Sequence, residues 1–210
     1  MKELVLGCIP SKMDGSEKVF GVSDEMVTLP EVYSYKEIMC PVLDQGSAQI
    51  CVPCTVSAYL NWKENLKTGL SGDDNGIKMS EIYRSRSNSG EGMSFKDALK
   101  FLNKVGVNSD NGILKIKSYG RVMSSFILKA AIVMNGPCFG ALPVYNDYCD
   151  FWNNEYNEPL QGYHAIAIVG YDKEGFIIRN SWGKNFCSKG YTVIPYKEFD
   201  KLLEIWTVIE

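Results

Sequence analysis

Apolar positions recur with a helical period from Cys51 onward, and the pattern turns strand-like after Pro137. Val52, Val56, Tyr59, Leu60 and Leu66 form one stripe at helical spacing, predicting a helix that starts near Cys51. Ser94, with Asp97 three residues on, resembles a capping box opening a second stripe: Phe95, Ala98, Leu99, Leu102 and Val105, stopped by Gly106. A further helical segment, 124–134, stops at Asn135-Gly136-Pro137. Beyond it CFGALPVY, YHAIAIVGY, GFIIRN, GYTVIP and IWTVI are short, β-branched and aromatic, and punctuated by Gly, Asn and Asp. Helices first and strands second predict an α+β fold with two lobes facing each other across a cleft. Residues 1–40 have no strong periodicity, and SKMDGSEK reads as exposed loop.

Composition narrows the function classes. The chain has 210 residues, enough for one large domain or two small lobes around a proper core. A net charge of −3 with scattered basic residues gives no electrostatic case for nucleic acid or anionic membrane. The densest basic patch, Lys96 to Lys104, reads as a solvated helix face. The longest apolar runs are far too short to span a bilayer. MKELVLGCIPSKMDG is a poor secretory signal, so the expectation is a cytoplasmic chain or one whose signal has been removed. Seven cysteines cannot all pair, which predicts mostly free thiols in a reducing compartment. One CxxC and a single histidine fall short of a zinc ligand set, so no metal or cofactor is expected.

The sole histidine, His164, precedes Asn180 by sixteen residues. Two antiparallel strands joined by a turn at Asp172 to Gly175 would bring them side by side. The Asn180 amide oxygen would then fix the imidazole's tautomer, as a catalytic histidine requires. Cys51 opens the first helix. A helix N-terminus and a nearby imidazolium favour the thiolate and can lower a thiol pKa from about 8.5 to ~3–4. Cys51 in one lobe with His164 and Asn180 in the other would make an acyl-transfer site. Cys51-Val52-Pro53-Cys54 also has the form of a thiol–disulfide redox motif, but such motifs follow a strand in a βαβ unit and here a Gln-Gly-Ser loop precedes it. That alternative also leaves His164 and Asn180 unexplained.

LPEVYSYKEIMCPVLDQG (29–46), the Gln45-to-Cys51 interval, GYHAIAIVGYDKEGFIIRNSWG (162–183) and KGYTVIPY (189–196) together resemble the papain-like cysteine peptidases. The DQG spelling, the MS-x-IY segment at 79–83 and the ending GYTVIPYKEF are similar to compact bacterial and viral members of the xylellain type. The resemblance implies a single papain-like domain over 1–210, with a helical lobe (29–125) and a β-barrel-like lobe (126–210). It implies that 1–28 is a propeptide-like segment near or across the cleft. Cys51 would be the nucleophile and His164 its ion-pair partner and general acid. Asn180 would orient His164, while Gln45 and the Cys51 N–H would hold the oxyanion. Trp182 would shield the Asn180–His164 bond. Gly92 would offer backbone to an extended peptide, and Met93 and Ala165 would line the main specificity pocket. A monomer acting on peptide or protein substrates as a cysteine endopeptidase is the implied function. A catalytically silent binding module of the same fold is the alternative.

The pattern departs from the family in places. Ala48 stands where a disulfide cysteine is usual, Gln49-Ile50 replaces Gly-Ser, and Val52 replaces an aromatic residue. The interval from Cys51 to His164 is shorter than the roughly 130–150 residues typical of papain and the cathepsins. Cys54, one helical turn from Cys51, is either a small buried thiol or a partner for a reversible Cys51–Cys54 disulfide.

Overall fold

In the computed structural model, which describes residues 5–23, 27–69, 74–155 and 157–210, the stripe beginning at Val52 lies on helix α1 (Cys51–Thr68). Gly69 ends it with a left-handed φ of 70°. Val52, Val56, Tyr59 and Leu60 are buried, but Leu66 is 54% exposed because the last turn projects beyond the core. Helices α2 (Met79–Arg84) and α3 (Phe95–Lys104) pack beside α1. The Ser94 hydroxyl caps α3 by accepting from the Asp97 N–H at 3.1 Å. The Asp97 carboxylate turns instead to the N–H and hydroxyl of Ser87, so the box is only half formed. Val105, expected on the buried stripe, sits at the C-cap and is exposed.

Strands begin earlier than the sequence pattern indicates. After β1 (Tyr33–Ser34), the stretch 107–121, taken as part of the helical half, forms β2 (Val107–Ser109), β3 (Gly112–Leu114) and β4 (Ser118–Arg121). Gly106, at φ 91°, ends the helical run, and Asp110-Asn111 turns the β2–β3 hairpin. Then come α4 (Ser125–Asn135), β5 (Cys138–Val144), β6 (Gly162–Tyr171), β7 (Gly175–Arg179), β8 (Tyr191–Pro195) and β9 (Glu204–Ile209). The five strands expected after Pro137 all form.

Six of these strands make an antiparallel sheet in the order β4-β9-β5-β6-β7-β8, with β1 as a seventh paired to the end of β6. Among the described residues the sheet does not close, so the barrel-like lobe expected from the resemblance is an open sheet. Its β4 edge is taken by the chain's own start: Phe20 N–H donates to Arg121 O at 2.8 Å and Arg121 N–H to Lys18 O at 2.7 Å. The sheet draws strands from both sides of the division expected at residue 125.

Alternation along β6 divides the core. Ala165, Ala167 and Val169 face α1 to α3 with Phe139, Phe95, Leu99 and Trp206. Ile166 and Ile168 face the other way, against α4 (Leu128, Ala131, Ile132), Phe151 and Trp152. The small side chains of Ala165 and Ala167 let α1 approach the sheet closely, which brings its N-terminus to the start of β6.

Candidate active site

The β6–β7 hairpin turns at Asp172, whose side chain accepts from the N–H groups of Glu174 (2.8 Å) and Gly175 (3.1 Å). This sets Asn180, one residue past β7, beside His164, and their side chains bond at 2.7 Å through Nε2 and Oδ1. Asn180 Oδ1 also accepts from the Ser181 N–H at 2.6 Å, which fixes the amide's orientation. An amide oxygen only accepts, so His164 carries its proton on Nε2 and leaves Nδ1 as the basic nitrogen. Nδ1 is buried and has no hydrogen-bond partner among the described residues.

His164 is fully buried, and burial drives its pKa down to about 4, opposed by the bond to Asn180. The unfolded chain protonates this group near 6.5 and the folded chain only near 4. Stability is therefore lost as pH falls through that window, by about 3 kcal/mol for the shift involved. Urea unfolding of the wild type and of His164→Gln between pH 4 and 7 checks this: the variant lacks that part of the slope.

Cys51 is the first residue of α1, and its helix start has no side-chain cap. The Ala165 and Gly7 amides reach its sulfur and favour the thiolate, but complete burial outweighs them and pushes the pKa up to about 11. Burial thus disfavours the charged form of both Cys51 and His164 while the site is covered. Cys54 is also a buried free thiol, pushed up to about 12 by burial first and by Cys51 second. Both thiols are thus poorly suited to redox exchange, and a loop, not a strand, leads directly into them.

Gln45 is buried in the loop before α1. Its Oε1 accepts from the Ser181 hydroxyl at 2.7 Å and its backbone N–H donates to Ser181 O at 2.9 Å. Its Nε2 donates to Ala48 O at 3.0 Å and to Val5 O at 2.8 Å. A carbonyl of the chain's own start therefore occupies the amide proposed to hold an oxyanion. Residues that follow continue across the site. Met93 N–H donates to Gly7 O at 2.8 Å, Ile9 N–H to Met93 O at 3.0 Å, and Cys8 N–H to Tyr163 O at 3.3 Å. Further on, Ser11 N–H donates to the buried Glu204 at 3.0 Å, and Lys96 pairs with Asp14 (2.9 Å) and Glu17. SKMDGSEK is thus pinned to the protein, and Lys96 is not part of a merely solvated face. Residues 1–4 and 24–26 of the expected 1–28 segment lie outside the described residues.

The other sequence-predicted residues gather here too. Trp182 stacks on His164, ring centroids 4.2 Å apart and planes 26° apart. Met93 and Ala165 are fully buried beneath the chain's start. The backbone bonds expected of Gly92 are made by Met93. Gly92 supplies a left-handed turn (φ 82°), and a Cβ there would come to 3.0 Å from Gly7 O. The Gln49 side-chain amide donates to the Glu91 carboxylate.

Sequence reasoning missed Arg179, a buried cation that ties the Gln45 loop to the sheet. It donates to Cys40 O (2.7 Å), Pro41 O (2.6 Å) and the Tyr191 hydroxyl (2.9 Å). A lone charge ending the apolar strand GFIIR was the available signal. Arg179→Leu leaves two buried acceptors, Cys40 O and the Tyr191 hydroxyl, and the partly buried Pro41 O without this donor, and should lower the unfolding free energy by about 3 kcal/mol, measured by urea denaturation. Also missed was the Cys149–Cys187 disulfide; the other five cysteines are free thiols.

Residues 55–202 match a sequence profile described as "Papain family cysteine protease", well over half of the chain, starting just past Cys51. "Cathepsin B-like CP1" of Giardia intestinalis is 25% identical over 196 residues, covering 75% of this chain and 64% of that protein. "Gut-specific cysteine proteinase" of Caenorhabditis elegans is 29% identical over 83 residues, covering 36% of this chain and 25% of that protein. The chain thus spans less than two thirds of the length of these curated relatives. Among solved structures, xylellain, a cysteine protease from Xylella fastidiosa, superposes with a TM-score of 0.80 at 23% identity, covering 99% of this chain and 96% of that one. ProCathepsin B S9 from Trypanosoma congolense gives 0.79 at 14% identity, covering 98% and 87%. Both structures share the fold, and the profile match carries the assignment: the chain belongs to the papain family of cysteine proteases.

Proposed function

We propose that the protein is a cysteine peptidase that cleaves internal peptide bonds, held latent by its own residues 5–9. The observation that carries this reading is the Val5 carbonyl on Gln45: a peptide oxygen already sits on the amide that would stabilise an oxyanion. In the uncovered enzyme Cys51 passes its proton to His164 Nδ1 and attacks the scissile carbonyl. Gln45 Nε2 and the Cys51 N–H hold the resulting oxyanion. His164 then protonates the leaving amine and afterwards draws a proton from the water that hydrolyses the thioester. Asn180 keeps the imidazole in the tautomer this requires.

The covering segment blocks the cleft without serving as substrate. The carbonyl at Gln45 belongs to Val5, whereas the group at the sulfur is the Gly7 amide, so no single peptide unit faces both. Cavities of about 550 Å³ on the Trp182 side and about 420 Å³ on the Gly92 side leave room for chain both before and after a scissile bond, which supports internal cleavage.

The test is digestion of an unfolded protein by wild type, Gly7→Ala and Cys51→Ser, with fragments identified by mass spectrometry. Internal cleavage is expected from Gly7→Ala, little from wild type and none from Cys51→Ser. A Gly7→Ala protein whose Cys51 alkylates readily but which cuts nothing would instead be a silent binding module.

A further inference from the structure

We propose that the Cys149–Cys187 disulfide and Phe151 are positioning elements for His164, clamping an aromatic cap that keeps its ring dry and in line with Asn180. This rests on the reading of His164 as the proton carrier, but its structural basis is separate. The bridge joins the turn after β5 to the loop after β7, the same loop that carries Trp182. Each half-cystine adjoins a ring of the cap. Phe151, two residues past Cys149, is fully buried, with its centroid 5.0 Å from Trp182, 5.9 Å from His164 and 6.3 Å from Phe186. Phe186, immediately before Cys187, lies edge-on to Trp182 at 4.9 Å. Trp182 in turn covers the face of His164. Two loops thus supply a cluster of three rings, Phe151 and Trp182 against the imidazole and Phe186 behind them, and the disulfide is the covalent tie between those loops.

The backbone at Cys187 points the same way. Its φ is 44°, a left-handed conformation that glycine adopts freely and side-chain-bearing residues rarely do. A cysteine held there costs strain that a glycine would avoid, and what it supplies is the bridge. The bridge is also reachable: Cys149 is exposed and Cys187 half-buried. A dithiol such as dithiothreitol would deliver two electrons and two protons, leaving two thiols on the protein and itself becoming a cyclic disulfide. With the clamp open, Phe151 and Phe186 are free to withdraw and water gains the His164–Asn180 bond.

Because His164 is the only histidine, its ring nitrogens give a single set of signals in ¹⁵N-histidine-labelled full-length protein. In Cys149→Ser/Cys187→Gly the imidazole pKa is expected to rise by at least one unit toward 6.5, since burial is what lowers it. Exchange of the Nε2 proton with water is expected to quicken at least tenfold. Dithiothreitol should move wild type the same way and leave the double variant unmoved. A folded double variant whose His164 titrates and exchanges like wild type would overturn the proposal. If that variant does not fold, Phe151→Leu with the bridge intact must show the same direction of change, and its absence overturns the proposal equally. A wild type with a protected His164 signal but no proteolysis under any condition would defeat the peptidase reading and leave the clamp standing.

Discussion

Gly7→Ala should raise the rate of Cys51 alkylation by iodoacetamide at pH 6 roughly 100-fold. A Cβ on Gly7 would lie 2.4 Å from Gln49 O and 2.5 Å from its carbonyl carbon. Both are backbone atoms of the loop entering α1, so no side chain can swing aside and the segment must leave instead. Its departure removes the burial that pushes Cys51 up to about 11. Return to the ordinary thiol value of 9.0 multiplies the thiolate at pH 6 by ~100, and pairing with His164 adds to that. Peptide mass spectrometry reads the result, with buried Cys138 as the internal reference; Cys149 cannot serve because it is bridged. Equal rates in variant and wild type would mean that residues 5–9 do not gate the thiol.

Gln45→Ala should move two readouts in opposite directions. Loss of one oxyanion donor typically costs ~10²–10³ in kcat, and the Gly7→Ala background allows that loss to be measured on a peptide substrate. In the covered chain, the same substitution removes the bond to Val5 O, so Cys51 should alkylate faster than in wild type. Slower hydrolysis together with faster alkylation identifies one amide serving both the segment and the transition state. If kcat is unchanged and only alkylation responds, Gln45 is a docking group for the segment and nothing more. Ser181, which holds Gln45 Oε1 at 2.7 Å, should give a weaker version of the same split when changed to Ala.

The parts of this molecule governed by short-range rules were legible in its residues. The hairpin at Asp172 follows from local turn chemistry, and with the register shift between Ile168 and Gly170 it brings His164 to Asn180. Helix starts at Cys51, Ser94 and Ser124 were similarly readable. What failed depends on contacts distant in sequence. Strand β4 has little apolar character and owes its place to pairing with β9, some ninety residues later. Cys149 and Cys187 look like any two of seven thiols until the fold brings their loops together. The covering segment was expected near or across the cleft, but its individual contacts were not. It grips the Gln45 and Glu204 side chains and the Met93 backbone through its own backbone groups, which the segment's side-chain identities do not encode.

The segment that lies over Cys51 is part of the same polypeptide, so it behaves as a tethered competitor whose local concentration is set by the chain and not by the amount of protein in the tube. Dilution cannot release it. In the latent peptidase proposed above, a substrate must meet an enzyme that is open only part of the time, and its apparent affinity falls by that open fraction while the turnover of open molecules is untouched. The degree of latency is therefore a constant of the sequence, adjustable residue by residue at positions such as Gly7, Ser11 and Asp14 without any change to the groups that break the bond.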